Sequence, residues 1–227
     1  MGNQDRRVEP ARMPDAELFA AAATEVAEGD PLGPAPHLVA LHERPTRAVY
    51  ATAVSLLDDE DPDVRELGVR VLRELGRQDE AGRRPFSTEA IPLLVGRLDR
   101  EQDPYVLQNV ISALGYNAAR EALDEVLRFT GHPNRWVRFH IAAVLPALAD
   151  QERIEPRALE ALRSLCRDDE ADIRYYALYA MVEEVSGADP ELVARSLADL
   201  VDDPDEQIRE LARVRLAAGE GGRSAPD

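Results

Sequence analysis

The 227-residue chain carries 44 Asp and Glu against 27 basic residues, every one of them Arg, for a formal net charge of −17, and 44% of its residues are hydrophobic. Apolar content at that level supports a continuous core and a globular fold. A surface this acidic repels phosphate backbones on average, which argues against nucleic acid and for a basic protein partner.

The absence of Lys is what GC-rich codon usage produces, and it also removes the Walker phosphate loop, Schiff-base chemistry and a Ser-Lys dyad. The single cysteine, Cys166, excludes an internal disulfide and fits a reducing compartment. The N-terminal residues Met1 to Arg7 have charge but no apolar stretch behind them, Gly2 lacks the Ser or Thr four positions on that myristoylation needs, and no apolar run reaches membrane-spanning length. The expected location is cytoplasmic.

In chain order, residues 1–12 are polar and expected to be disordered. Residues 13–45 read as a capping helix over Pro14 to Ala27 followed by a Pro-rich connector from Gly29 to Pro36. From residue 46 a stop-and-restart pattern recurs: Asp61-Pro62-Asp63-Val64-Arg65, Asp103-Pro104-Tyr105-Val106-Leu107, His132-Pro133-Asn134-Arg135-Trp136-Val137-Arg138, Asp169-Glu170-Ala171-Asp172-Ile173-Arg174 and Asp203-Pro204-Asp205-Glu206-Gln207-Ile208-Arg209. Its β-branched anchors, at 64, 106, 137, 173 and 208, lie 42, 31, 36 and 35 residues apart, which is a repeat period. Small or apolar residues follow each anchor at four, seven and eight positions, the stripe of an α-helix opened by an Asp cap and a first-turn Pro. A second helical stretch precedes each anchor: Arg47 to Leu57, Thr88 to Leu98, Glu121 to Phe129, Pro156 to Cys166 and Pro190 to Val201. Each unit is therefore a helical hairpin, no segment alternates with the period of a strand, and residues 219–227 read as a disordered tail. Because one hairpin cannot bury its stripe alone, Leu72, Leu114, Leu145 and Leu216 are expected to find their core contacts in neighbouring units.

The acidic turns followed by Val64-Arg65, Val137-Arg138, Ile173-Arg174 and Ile208-Arg209 resemble the HEAT-repeat superfamily, especially its short bacterial form named after phycobilisome lyases. The resemblance covers about residues 46–218, and Leu107 departs from it where an Arg is expected. It implies an all-α, right-handed superhelix of about five hairpins plus the N-terminal cap, with the second helices lining a concave face and Arg65, Arg138, Arg174 and Arg209 as the repeat arginines.

The turn acids, among them Asp58, Asp59, Glu60, Asp61, Asp168, Asp169, Glu170, Asp202, Asp203 and Asp205, are expected along one edge, where they cap helices and can form an acidic ridge. Asp59, Asp61 and Asp63 do not make a calcium loop, since Val64 and Arg70 stand where its Gly and Glu belong. Positions two, three and six after each anchor are left free by the stripe. They hold Glu66, Leu67 and Arg70; Gln108, Asn109 and Ser112; Phe139, His140 and Ala143; and Tyr175, Tyr176 and Tyr179. Only 5% of the chain is aromatic, so Phe139, Tyr175, Tyr176 and Tyr179 are a concentration; with His140, Gln108 and Asn109 they form the candidate partner-binding face. The same rings would alternatively pack between units as core.

No Cys pair, metalloprotease helix or hydrolase elbow is present, His37, His42, His132 and His140 are scattered, and neither Cys166 nor Glu183-Glu184 stands in a reactive constellation. The expectation is a non-catalytic interaction module without metal or cofactor, binding a basic protein as inhibitor, immunity protein or assembly chaperone. Two alternatives follow from resemblance. A HEAT-like glycosylase of alkylated bases would use Trp136, Arg138 and Arg174, although His140 stands where a carboxylate is wanted. A bilin-lyase-like protein would hold a tetrapyrrole in the groove.

Overall fold

In the computed structural model, which describes residues 10–28 and 34–221, the described residues form helices and no strand. Of the ends expected to be disordered, 1–12 and 219–227, residues 1–9 and 222–227 lie outside the described residues, as do 29–33 of the Pro-rich connector, whereas 10–12 and 219–221 are helical. The chain divides into two compact units, residues 1–119 and 120–227.

The first unit contains three helix pairs: α1 (Asp15–Ala27) with α2 (Pro36–His42), α3 (Arg47–Leu56) with α4 (Pro62–Glu74), and α5 (Ser87–Leu98) with α6 (Pro104–Tyr116). The helix starts follow from local chemistry. Asp61 and Asp103 accept hydrogen bonds from the N–H groups of Asp63 and of Tyr105 and Val106, and Pro62 and Pro104 occupy first-turn sites where no N–H is needed. Thr46 caps α3 through Val49 N. Successive pairs then stack through α4, which packs on α3 and on α6. At the α3–α4 crossing a Cβ on Gly68 would stand 2.7 Å from the Ala53 carbonyl, so only Gly allows this approach.

The N-terminal cap is itself a helix pair, because the residues after the connector fold into α2. Glu25 organises it: its carboxylate accepts the N–H groups of His37 and Leu38 at 3.0 Å each and meets His37 Nδ1 at 2.5 Å. This caps α2 from α1. His42 then ties α2 to α4, its Nε2–H donating to the Arg70 carbonyl at 2.9 Å, and burial holds its imidazole below its ordinary pKa.

The second unit repeats the scheme. A 3₁₀ turn (Arg120–Ala122) and the short α7 (Leu123–Leu127) pair with α8 (Arg135–Leu148), α9 (Pro156–Leu165) pairs with α10 (Ala171–Tyr179), and α11 (Pro190–Leu200) pairs with α12 (Glu206–Gly221). α10 ends in one π turn over Ala180–Glu184, closed by Val185 N–H on the Ala180 carbonyl at 3.1 Å. Leu72, Leu114 and Leu145 are buried as expected, whereas Leu216 is only half-buried. α12 continues to Gly221, past the point where the repeat pattern stops.

Candidate protein-interaction surface

Three of the four repeat arginines, Arg65, Arg138 and Arg174, clamp the stack. Arg138 Nη1 donates to the carbonyls of His132 and Pro133, closing its own turn, while Nε and Nη2 donate to Asp168 at 2.6 and 2.9 Å in the turn of the next hairpin. Arg174 does the same with the Asp168 and Asp169 carbonyls and with Asp203, and Arg65 with the Asp59 and Glu60 carbonyls and with Glu101. Arg209 closes its own turn on the Asp203 and Pro204 carbonyls. Fork-on-carboxylate pairing needs the planar guanidinium, which gives the Arg in the Val-Arg pattern a structural reason.

The three receiving carboxylates are tied in turn to backbone N–H groups: Glu101 to Gln102 and Asp103, Asp168 to Glu170, and Asp203 to Asp205. Burial pushes each carboxyl up, but the arginine and backbone hydrogen bonds outweigh it and hold all three below the usual range. Asp168 and Asp203 are thereby withdrawn from any acidic ridge into the stack. Leu107, where the pattern lacks its Arg, is buried and apolar.

Asn109, expected on the candidate face, does not reach the surface. It is buried, with Nδ2 donating to the Tyr105 carbonyl of its own helix, because α6 is covered over most of its circumference; Leu67 and Ser112 are buried likewise. Gln108 is half-buried, and its Oε1 has no hydrogen-bond partner among the described residues.

The second unit differs. On α8 and α10 the positions left free by the core stripe carry rings in mutual contact. Trp136 meets Phe139 edge-on at 5.9 Å, and Phe139 meets both His140 at 5.5 Å and Tyr176 at 4.8 Å. Tyr176 meets Tyr175 at 5.9 Å, and Tyr175 stacks on Tyr179 with centroids 6.2 Å apart. Phe139, His140 and Tyr175 are half-buried, while Trp136, Tyr176 and Tyr179 remain 39%, 43% and 39% exposed. The rings therefore pack between neighbouring hairpins with their edges and still present a continuous surface. Sequence reasoning placed Trp136 outside this strip. The signal was its position one residue before the anchor, one helical turn from His140, whose Nδ1–H donates to the Trp136 carbonyl at 2.8 Å.

Charges border the strip. Arg135 lies over the Trp136 ring at 4.7 Å and pairs with Asp172 at 2.6 Å and Glu170 at 3.4 Å; Glu183, at the end of α10, pairs with Arg215 of α12. Cys166 is buried, and burial pushes its thiol up to about 12, which leaves it without nucleophilic character at neutral pH. Among the described residues no group of three or more His, Cys, Asp or Glu is arranged to hold a metal ion, and no helix is long and apolar enough to cross a membrane.

Residues 91–182 match the family model for HEAT repeats. The helical hairpins within this stretch are similar to HEAT repeats. Solved structures share the fold at low identity. Escherichia coli YibA is 14% identical over 98% of this chain and 77% of its own, with a TM-score of 0.74. A designed armadillo repeat protein in complex with the peptide (KR)4 is 17% identical over 96% of this chain and all of its own, with a TM-score of 0.64. An archaeal HEAT-like repeats protein from Thermococcus onnurineus is 15% identical over 95% and 83%, with a TM-score of 0.55. A comparison with curated protein sequences finds no match.

The stretch matched by the HEAT model includes both strip-bearing helices, α8 and α10. The strip lies on the second helices of two neighbouring hairpins, and the Arg–carboxylate clamps join the turn within one hairpin to the turn within the next. The two sets of residues do not overlap.

Proposed function

We propose that this HEAT-repeat protein is a non-catalytic interaction protein that docks a basic protein partner on the second-helix face of its C-terminal unit, through Trp136, Phe139, His140, Tyr175, Tyr176 and Tyr179. The contiguous exposed aromatic strip carries this reading: rigid rings supply large contact area at little entropic cost, and such residues dominate binding hot spots. The formal charge of −17 supports a basic client, and inhibition or assembly of such a client fits the same surface. A designed armadillo repeat protein of the same fold holds the peptide (KR)4. The glycosylase reading loses its arginines, since Arg138 and Arg174 are bound to Asp168 and Asp203.

The test places a photo-crosslinking phenylalanine analogue at position 176 in the native host and identifies what it captures by mass spectrometry. A basic protein captured at position 176, and released by the variant Trp136→Ala/Tyr179→Ala with unchanged helical circular dichroism, is the expected result. Capture confined to a crosslinker placed away from the strip, or capture unaffected by that variant, overturns the reading.

A further inference from the structure

Arginine is the regular companion of aromatic rings in this protein. Arg47 lies over Tyr50 and Phe86 at 5.3 and 4.8 Å, Arg73 and Arg84 over Tyr116 at 5.2 and 5.9 Å, Arg128 over Phe129 at 5.8 Å, and Arg135 over Trp136 at 4.7 Å. Three of these are three-part arrangements in which a carboxylate fixes the guanidinium: Glu89 accepts from Arg47 at 2.6 Å, Glu74 from Arg73 at 2.9 Å, and Asp172 from Arg135 at 2.6 Å. Among the described residues no arginine lies over Tyr175, Tyr176 or Tyr179, although Tyr176 and Tyr179 are among the most exposed rings.

Two carboxylates follow Tyr179 by one turn. In a π turn, residues four and five positions apart share a face, so the turn over Ala180–Glu184 keeps Glu183 and Glu184 on the side of the helix that carries the tyrosines. Arg215 takes Glu183. Glu184 has no ion-pair partner among the described residues, and burial alone holds its carboxyl above the usual range. Around the strip, Arg135 pairs with Glu170 and Asp172 and Arg215 with Glu183; with Glu184 added, four negative charges against two positive leave a net of −2.

Building on the docking reading above, we propose that the strip selects an arginine side chain from an extended partner segment, its guanidinium laid on Tyr176 and Tyr179 and its N–H donors received by Glu184. The arrangement repeats what the chain does internally at Tyr50 and Trp136. Lysine is the weaker fit, because a compact, strongly hydrated ammonium lacks the plane that stacks on a ring and the fork that matches a carboxylate.

The full chain is titrated with three short Gly/Ser peptides that are identical except for Arg, Lys or citrulline at the charged positions. Fluorescence of Trp136, the single Trp of the chain, and calorimetry read the binding at fixed ionic strength. Citrulline keeps the plane and loses the charge; lysine keeps the charge and loses the plane. The Arg peptide is expected to bind about ten-fold more tightly than either, and Glu184→Gln or Tyr179→Leu to weaken it by about three- to thirty-fold with unchanged circular dichroism. Equal affinity for the Arg and Lys peptides, or no effect of Glu184→Gln, overturns the proposal. The two readings separate at the crosslink: a partner captured at position 176 through a segment without arginine overturns this inference and leaves the docking surface standing, whereas no capture at the strip overturns both.

Discussion

Arg174 and Asp203 stand 29 residues apart in sequence and form a buried fork: Nε and Nη2 of the arginine each donate to one carboxylate oxygen at 2.9 Å. The same guanidinium holds the Asp168 and Asp169 carbonyls, so one side chain joins the turn of its own repeat to the turn of the next. Removing one member leaves the other buried and unpaired. Arg174→Ala and Asp203→Ala are each expected to cost about 3–5 kcal/mol, and Arg174→Lys to restore only part of it. Replacing both by Leu should cost less than either single change, because no orphan charge remains. Urea denaturation measures all four.

The lowered carboxyls of Glu101, Asp168 and Asp203 make stability depend on acid. Each binds protons less readily folded than unfolded, so its contribution is fully present above the unfolded value of about 4 and is lost as pH falls through the lower native value. Denaturation midpoints should fall steeply below about pH 4. Asp203→Asn cannot titrate and should show a shallower slope than the parent; an identical slope would remove Asp203 from this account.

His42 acts in a separate window. Its folded pKa lies below the unfolded value of about 6.5, so its contribution is present above that value and is lost as pH falls from there toward the native pKa. The first unit should lose stability between about pH 7 and 5, and His42→Gln should flatten that part of the profile. Hydrogen exchange of the amides in α2 and α4 reads it locally.

Gly68 and Gly131 form a matched pair for testing the hairpin packing. A Cβ at Gly68 meets the Ala53 carbonyl at 2.7 Å and Leu56 Cβ at 3.0 Å, while one at Gly131 meets nothing within 4 Å. Gly68→Ala should therefore destabilise by about 1–3 kcal/mol, as overpacking does. Gly131→Ala should stay within about 0.5 kcal/mol, as surface changes do. Thermal melts distinguish the two.

The hairpins were legible because Asp61-Pro62, Asp103-Pro104 and Asp189-Pro190 state helix starts in local chemistry, and because the anchors Val64, Val137 and Ile173 repeat in phase. Helix α2 was not, since it opens on Ala35 without a side-chain cap and its start is secured by Glu25, twelve residues before His37. The strip was legible as free positions of a helix, but free positions are exposed only where no neighbour covers them: Tyr176 emerges and Asn109 does not. The role of the arginines was hidden for another reason. Val-Arg is a dipeptide in sequence, whereas the carboxylate to which Arg138 donates lies 30 residues downstream, at a distance only the stack closes.

Arg209 closes its own turn through Nη1, and no described carboxylate occupies the rest of its fork. A hairpin grafted behind α12 with an acidic turn set to the spacing of Asp168 and Asp203 would find its register dictated in advance, so the array carries at this edge its own instruction for being lengthened.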